Sequence, residues 1–541
     1  MLPDLRFAFR QLRRAPGFAL LAVLTLALGI GANATAFSLV NALLLRPTPH
    51  VRAPERLVAL YTSDFSGPAY GTSSLPDLED FAEAGRRERV FDGVGGFAPR
   101  PATFGDGDAR ERGLVELVTA DYLRVLGVQP QRGRAFTADE ARGVGAPAVL
   151  ISDALWQRRF NRAPSAVGST LAVNAVPATI VGVLPPRFGG GLRLVSADAW
   201  VPIRGAAALG LGGRVERRGN RGLFAVARLA PDATVARAQG AMTLLATRMQ
   251  AAYPEQWTDV RDAGRRVTLL EERLARVPPQ MRGPALAFSA LLGATVVLVL
   301  LVCCANVAGL LLARAPVRTR EVALRLSLGA SRGRIVRQLL VESALLAVLA
   351  AALGLAATQW VTAALAHVDL PLPVAVTLDL APDWRVLAFS AVVTTLAVAA
   401  FGLAPALRAT RADVHAAIKL GTGPVGRTRL QSALVVGQLA TSLVLAASAL
   451  LFLRAVRAAA AIDPGFSARS MLLVDLERVP GAGGDSSSAR VGEALAQRVA
   501  GVAGVSAVSW ADVAPLSVEV SRRGRARAGG RASRSSRDRR R

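Results

Sequence analysis

The sequence predicts an α-helical membrane protein with an α+β domain held outside the bilayer, and three observations lead there. The chain of 541 residues is 52% hydrophobic, with a mean hydropathy of +0.36, too apolar for an ordinary soluble protein. Its apolar residues gather into runs longer than the roughly 18 to 20 residues that cover a hydrocarbon core. Between the first two runs lies a long stretch of globular composition, with Asp and Glu throughout and Pro/Gly breaks separating strand-like from helix-like patterns.

Residues 1–16 are predicted to form a cytoplasmic amphipathic helix. Over 4–14, Leu5, Phe9 and Leu12 fall on one helical face and Arg6, Arg10 and Arg13 on another, which suits the inner leaflet. Pro16 permits a bend into the first span, 17–45, whose length and lack of a small-residue cleavage site mark an uncleaved anchor. Its Gly29–Ser38 segment combines small residues with Asn33 and Thr35, suited to close packing and hydrogen bonds between helices.

Residues 46–283 form the outer domain. Two alternating runs in Leu171–Val183 flank Asn174 and Ala175 as a hairpin, with Pro177 demanding an edge position or a late strand start. Helices are expected at Leu75–Arg86, Ala120–Leu126, Ser152–Asn161 and Val235–Ala252. The one histidine of this region, His50, has no metal-ligand or nucleophile company, and no HExxH, CxxC or GxSxG pattern occurs. The many carboxylates of the domain are expected to be solvated surface.

Three further spans are read at 284–314, 338–367 and 384–407, with an outer loop at 368–383 that carries Asp369, Asp379 and Asp383 but no basic residue. Asn306 and Gln359 lie inside spans, where polar side chains are expected to face neighbouring helices. Arginines cluster before the first span, between the second and third, and in the linker 408–429, so these faces are cytoplasmic and 46–283 lies outside. A fifth span, 430–453, leads into 454–520, which reads as the opening of a second outer domain. From 521 to 541 the chain is arginine-rich, without apolar periodicity, and is expected to be disordered. Its abrupt change of composition suggests a shifted reading frame.

The segment 315–337 joins the second and third spans. Val322/Leu326 and Leu324/Leu328 recur at i, i+4, with Glu321 and Arg325 paired on the polar side, so a short amphipathic helix is expected. Gly329 suits its C-terminal cap, and Ser331 can open a second helix carrying Arg332, Arg334 and Arg337 into the membrane. By spacing alone, such a basic loop is more often a topology signal and nothing more.

Composition also excludes some classes. The only cysteines, Cys303 and Cys304, fall inside an apolar run, so the outer domain holds no internal disulfide. The net charge of +26 is divided between juxtamembrane clusters and the tail, and no nucleic-acid module accompanies it, so no nucleic-acid partner is expected. The only lysine, Lys419, lacks a preceding glycine loop and so cannot belong to a Walker A motif.

The run R-E-V-A-L-R-L-S-L-G-A-S-R-G-R-I-V-R-Q-L-L-V-E-S, Arg320–Ser343, resembles the segment after the second span of MacB-like and FtsX-like ABC permeases. The outer domain adds G-V-Q-P-Q-R-G-R-A-F (Gly127–Phe136), V-L-I-S-D-A-L-W-Q-R-R-F (Val149–Phe160), V-G-V-L-P-P-R-F (Val181–Phe188) and D-A-W-V-P-I (Asp198–Ile203), phrases similar to the MacB-like periplasmic core domain. The resemblance covers about the first 420 residues. It implies a multi-pass permease of the bacterial inner membrane, with a periplasmic core domain and a four-helix module. The fifth span and the partial domain after it are similar to the start of the second half of duplicated permeases of the acidobacterial type, here truncated.

The resemblance also implies a coupling helix that docks on a separate ATPase. Carried over by position, the docking or force-transferring residues are Glu321, Arg325, Gly329, Ala330, Ser331, Arg332, Arg337 and Gln338, with Glu342 where the chain enters the membrane. Leu326, Ser327 and Pro316 depart from the family's commoner residues. The expected function is transport by mechanotransmission, with ATP and magnesium on an ABC ATPase in trans. Expected partners are a second copy or a second permease module, a periplasmic adaptor and membrane lipids. Two alternatives stay open: a signalling or scaffold permease controlling a periplasmic partner such as a cell-wall enzyme, and a truncated remnant without function. A membrane enzyme is a third class, which the missing catalytic constellation argues against.

Overall fold

The structure is a computed structural model that describes residues 2–46, 48–63, 69–107, 110–192, 195–212, 215–258, 263–313, 331–366, 380–399, 429–461, 472 and 485–509. The chain divides into two compact units, Met1–Ile462 and Asp463–Arg541. The described part of the second is residue 472, a helix, Asp485–Ala500, and residues 501–509 after it. The tail 521–541 lies outside the described residues.

In the first unit, α1 (Leu2–Arg14) packs against the membrane helices. Ala8 and Leu12 are buried there, whereas Phe9 is 55% exposed and Arg6, Arg10, Arg13 and Arg14 are exposed. The apolar face thus splits. Leu12 enters the bundle, and Phe9, rotated away from it, points outward.

α2 (Pro16–Val40) opens with Pro16 in its first turn, where a missing N–H costs nothing. It ends in a π-helical turn, Asn41–Leu45. The outer domain follows as a ten-stranded sheet: β1 (Leu57–Thr62), β2 (Phe91–Phe104), β3 (Glu111–Val118), β4 (Arg132–Gly133), β5 (Ala148–Ile151), β6 (Thr170–Val173), β7 (Val176–Val183), β8 (Ala199–Pro202), β9 (Phe224–Leu229) and β10 (Val267–Glu271). The order is β10-β1-β9-β2-β3-β8-β5-β7-β4, with β6 pairing β2 and β7 off this path. Pairing is antiparallel except at β3–β8 and β5–β7.

Strand alternation separates two cores. In β3, Val115 and Leu117 face one core while Leu114 and Val118 face the other; in β8, Val201 opposes Trp200 in the same way. The first core is closed by α3 (Leu75–Arg87), α6 (Asp153–Phe160) and α7 (Val235–Ala252) through Phe81, Trp156 and Met242. The second contains α4 (Tyr122–Leu126). Short helices α5 (Ala138–Ala141), α8 (Pro254–Trp257) and α9 (Glu272–Ala275) join the remaining elements.

Local chemistry explains the element ends. Ser74 and Asp77 form a capping box on α3, Ser152 caps α6, and Thr234 caps α7. The predicted hairpin forms, with Asn174 and Ala175 at φ of 50° and 62°. Pro177 pairs with Ala172 of β6, whereas β5 joins the other side of β7 only from Thr179, so the proline sits on a locally open edge.

The membrane helices are α2, α10 (Pro279–Ala313), α11 (Arg332–Ala366), α12 (Trp384–Val398) and α13 (Arg429–Ala460). Four contain windows long and apolar enough to cross a membrane; α12 is described over 15 residues. The rest of the predicted fourth span, 400–407, lies outside the described residues. Leu26 and Ile30 of α2, Val307 of α10, Leu346 and Ala350 of α11, and Val393 of α12 form the bundle core. Gln359 corrects one expectation: it is exposed, and the polar residue that α11 aims at its neighbour is the adjacent Thr358, which is buried.

Candidate functional site

Of the sequence-predicted coupling residues, Glu321, Arg325, Gly329 and Ala330 lie outside the described residues. Ser331 is exposed and immediately precedes α11; its carbonyl accepts the Arg334 and Ile335 amides at 3.1 and 3.3 Å. Arg332 is the first helical residue. Arg337 is exposed, Gln338 half-buried, and Glu342, further along the same helix, is buried. Ile335 is buried there as well. The described end of the basic segment, from Arg332 on, is thus the first part of a 35-residue helix.

That helix meets α2 through matched small residues. Gly31 and Thr35 on α2, and Gly354 and Thr358 on α11, are each four apart and so lie on one helix face. A Cβ on Gly354 would stand 2.9 Å from the Ala27 carbonyl oxygen and 3.0 Å from the Gly31 nitrogen, so the backbones are in direct contact. The Thr358 hydroxyl lies 3.1 Å from the Gly31 carbonyl and 2.9 Å from its own Gly354 carbonyl, and the Thr35 hydroxyl reaches Thr358 at 3.3 Å. Asn33 ties α2 to α10 by donating to the Val296 carbonyl at 2.7 Å.

At the outer end, the π turn of α2 is gripped from two sides. Arg276, just after α9, donates to the Leu45 carbonyl at 2.6 Å and the Leu44 carbonyl at 3.3 Å. Arg385 of α12 donates to the same Leu45 carbonyl at 2.7 Å. Asp383 caps α12 by accepting the Arg385 and Val386 amides, and its other oxygen accepts from Asn41 at 3.0 Å. Helix C-terminal carbonyls carry partial negative charge, which cationic donors complement.

Two buried acidic centres stiffen the outer domain. Asp77, fully buried, bonds Arg218 at 2.8 Å, Arg221 at 2.9 Å and the Trp257 indole at 3.1 Å. Glu116 accepts the Trp200 indole at 2.9 Å, the Gly191 amide at 2.7 Å and the Tyr122 hydroxyl at 3.3 Å. Burial pushes the Glu116 carboxyl up to about 7, against the lowering effect of those donors. The expectation that carboxylates of this domain are solvated surface is corrected at these two: strand alternation turns Glu116 inward, and the α3 cap places Asp77 under Trp257. The S-x-x-D capping pattern was the one available signal for Asp77.

Comparison with known proteins matches residues 19–245 to the MacB-like periplasmic core domain and residues 293–414 to the FtsX-like permease C-terminal domain. The chain carries a MacB-like periplasmic core domain and an FtsX-like permease domain. A macrolide export ATP-binding/permease protein MacB of Chromobacterium violaceum is 28% identical over 250 residues, 45% of this chain and 34% of the relative. MacB of Bordetella avium is 26% identical over 341 residues, 61% of this chain and 47% of the relative. The chain thus spans between a third and a half of these relatives' length. The periplasmic region of MacB from Actinobacillus actinomycetemcomitans aligns at 12% identity and a TM-score of 0.30, covering 42% of this chain and 93% of that one.

The protein is accordingly a multi-pass inner-membrane protein with a periplasmic core domain. Within the MacB-like core, the four characteristic phrases fall on β4, β5 with α6, the end of β7, and β8. They form one contiguous half of the sheet, β8-β5-β7-β4. The FtsX-like match spans most of α10, the segment after it, α11 and α12.

Proposed function

We propose that this chain is the transmembrane permease subunit of an ABC-type exporter, coupling a separate ATPase to motion of the periplasmic domain. The observation that carries the reading is the unbroken α11, which begins beside the coupling segment and is joined to α2 at Gly354 and Gly31. A push at the cytoplasmic end of α11 is then shared with α2, whose outer end contacts the periplasmic domain through Arg276. Backbone contact transmits displacement better than flexible side chains, because packed interiors have low compressibility.

In this reading ATP and magnesium bind the partner ATPase, and Glu321, Arg325, Gly329, Ala330, Ser331, Arg332, Arg337, Gln338 and Glu342 contribute to the docking segment. The module pairs with a second copy or a second permease module. A periplasmic adaptor would meet the MacB-like core.

The test is to reconstitute the full chain with a candidate ABC ATPase in nanodiscs and measure ATP turnover. Arg325→Ala or Gly329→Val is expected to abolish the permease's effect on turnover while membrane insertion and yield hold. Turnover that responds to the variant permeases as it does to the wild type, or loss of insertion instead, overturns the reading.

A further inference from the structure

We propose that the π turn Asn41–Leu45 is a latched joint between helix α2 and the periplasmic domain, held in its wide register by Arg276 and Arg385. The turn is closed at its outer end by a five-residue bond, the Arg46 amide to the Asn41 carbonyl at 2.8 Å. π turns hold one residue more than an α turn and are intrinsically disfavoured, so something must hold this one open. The described contacts supply it: two guanidinium groups converge on the Leu45 carbonyl, one also reaches Leu44, and Asn41 is bonded to Asp383.

The two arginines belong to different bodies. Arg276 is locked to Glu272 by a pair at 2.8 Å, with side chains only 11% and 18% exposed, so it moves with the end of β10. Arg385 and Asp383 open α12 and move with the membrane bundle. Displacing α12 from the periplasmic domain withdraws one guanidinium from Leu45 while the other stays. The Arg46 amide can then shift from the Asn41 to the Ala42 carbonyl, returning the turn to α-helix and turning the following chain by roughly a quarter-turn. Arg46 leads directly into the periplasmic domain, so this rotation would reorient it. That use in force transfer rests on the proposed function; the latch itself does not.

The test is hydrogen–deuterium exchange on the full chain in lipid nanodiscs, without any ATPase, following the peptide over 41–46. Arg276→Gln and Arg385→Gln are each expected to speed its exchange by about tenfold, the effect of losing one charge-assisted hydrogen bond. The sheet amides of 114–118 should keep wild-type protection. Arg276→Lys, which keeps a cationic donor, should recover part of the effect. Removing Ala42, which takes out the extra residue, should make exchange at the turn insensitive to both arginine substitutions. Unchanged exchange in the Arg276→Gln/Arg385→Gln protein, or continued sensitivity after Ala42 is removed, overturns the latch. A double variant that loses sheet protection leaves the two single variants and the Ala42 removal to decide. If the latch holds while Arg325→Ala leaves ATP turnover coupled, the joint is real and the coupling reading is wrong.

Discussion

Thr358 of α11 and Gly31 of α2 are joined by a hydrogen bond of 3.1 Å at the point where the two backbones touch. The hydroxyl is shared with the Gly354 carbonyl, so one side chain satisfies its own helix and staples the neighbour. The close approach depends on glycine at 354, since neither a methyl group nor a longer side chain fits between its backbone and the Ala27 carbonyl.

Gly354→Val should therefore push α2 and α11 apart. We expect a loss of about 1 to 3 kcal/mol, the usual range for overpacking, read as a lower thermal midpoint in detergent. Thr358→Val keeps the side-chain volume and removes the hydroxyl's bonds to Gly31, Gly354 and Thr35; it should cost less, about 0.6 kcal/mol for the bond between the helices. Equal losses for the two would mean that the hydrogen bond, rather than the backbone contact, holds the helices together.

Glu116 predicts a pH dependence. Its folded carboxyl is pushed up to about 7 from 4.5, so the folded protein retains a proton that the unfolded chain releases between those values. The stability contributed by the neutral carboxyl is present below pH 4.5 and is lost as pH rises toward 7. A shift of this size corresponds to about 3 kcal/mol. Thermal midpoints across that window should fall more steeply for the wild type than for Glu116→Gln, in which nothing titrates. The variant should also be less stable at about pH 5, because its amide group turns a donor toward the Trp200 indole or the Gly191 amide.

Asp77→Ala should be among the most damaging changes in the periplasmic domain. It takes a buried acceptor from Arg221 and from the Trp257 indole and removes one of the two carboxylates that hold Arg218. Breaking one side of a buried pair costs about 3 to 5 kcal/mol. Arg87→Ala, which removes an exposed pair with Glu83 on the same helix, should cost well under about 1 kcal/mol. Chemical denaturation followed by tryptophan fluorescence distinguishes them.

Much of the local structure was legible because its causes are local. Ser152 and Asn161 bracket α6 by capping chemistry that acts within a few residues. The Asn174–Ala175 turn follows from two alternating runs and a residue tolerant of positive φ. The small residues around Gly31 signalled close packing, but not against what. Gly354 and Thr358 carry the same spacing, yet sit in a run where alanine and glycine are common and nothing local distinguishes them. Gln359 was the more conspicuous polar residue, and helical rotation by one position sends it outward while Thr358 turns inward.

By itself, the sequence determined where long apolar helices fall and where most helices of the outer domain begin and end. Those properties follow from hydrophobic run length and capping, which act within a segment or against the solvent. Only the tertiary structure decided the sheet order, the inward turn of Glu116 and Asp77, the Gly31–Gly354 crossing, and the convergence of Arg276 and Arg385 on Leu45. Each brings together residues far apart in the chain, and no local preference ranks one such pairing above another until the packed bundle and sheet bring their backbones into contact.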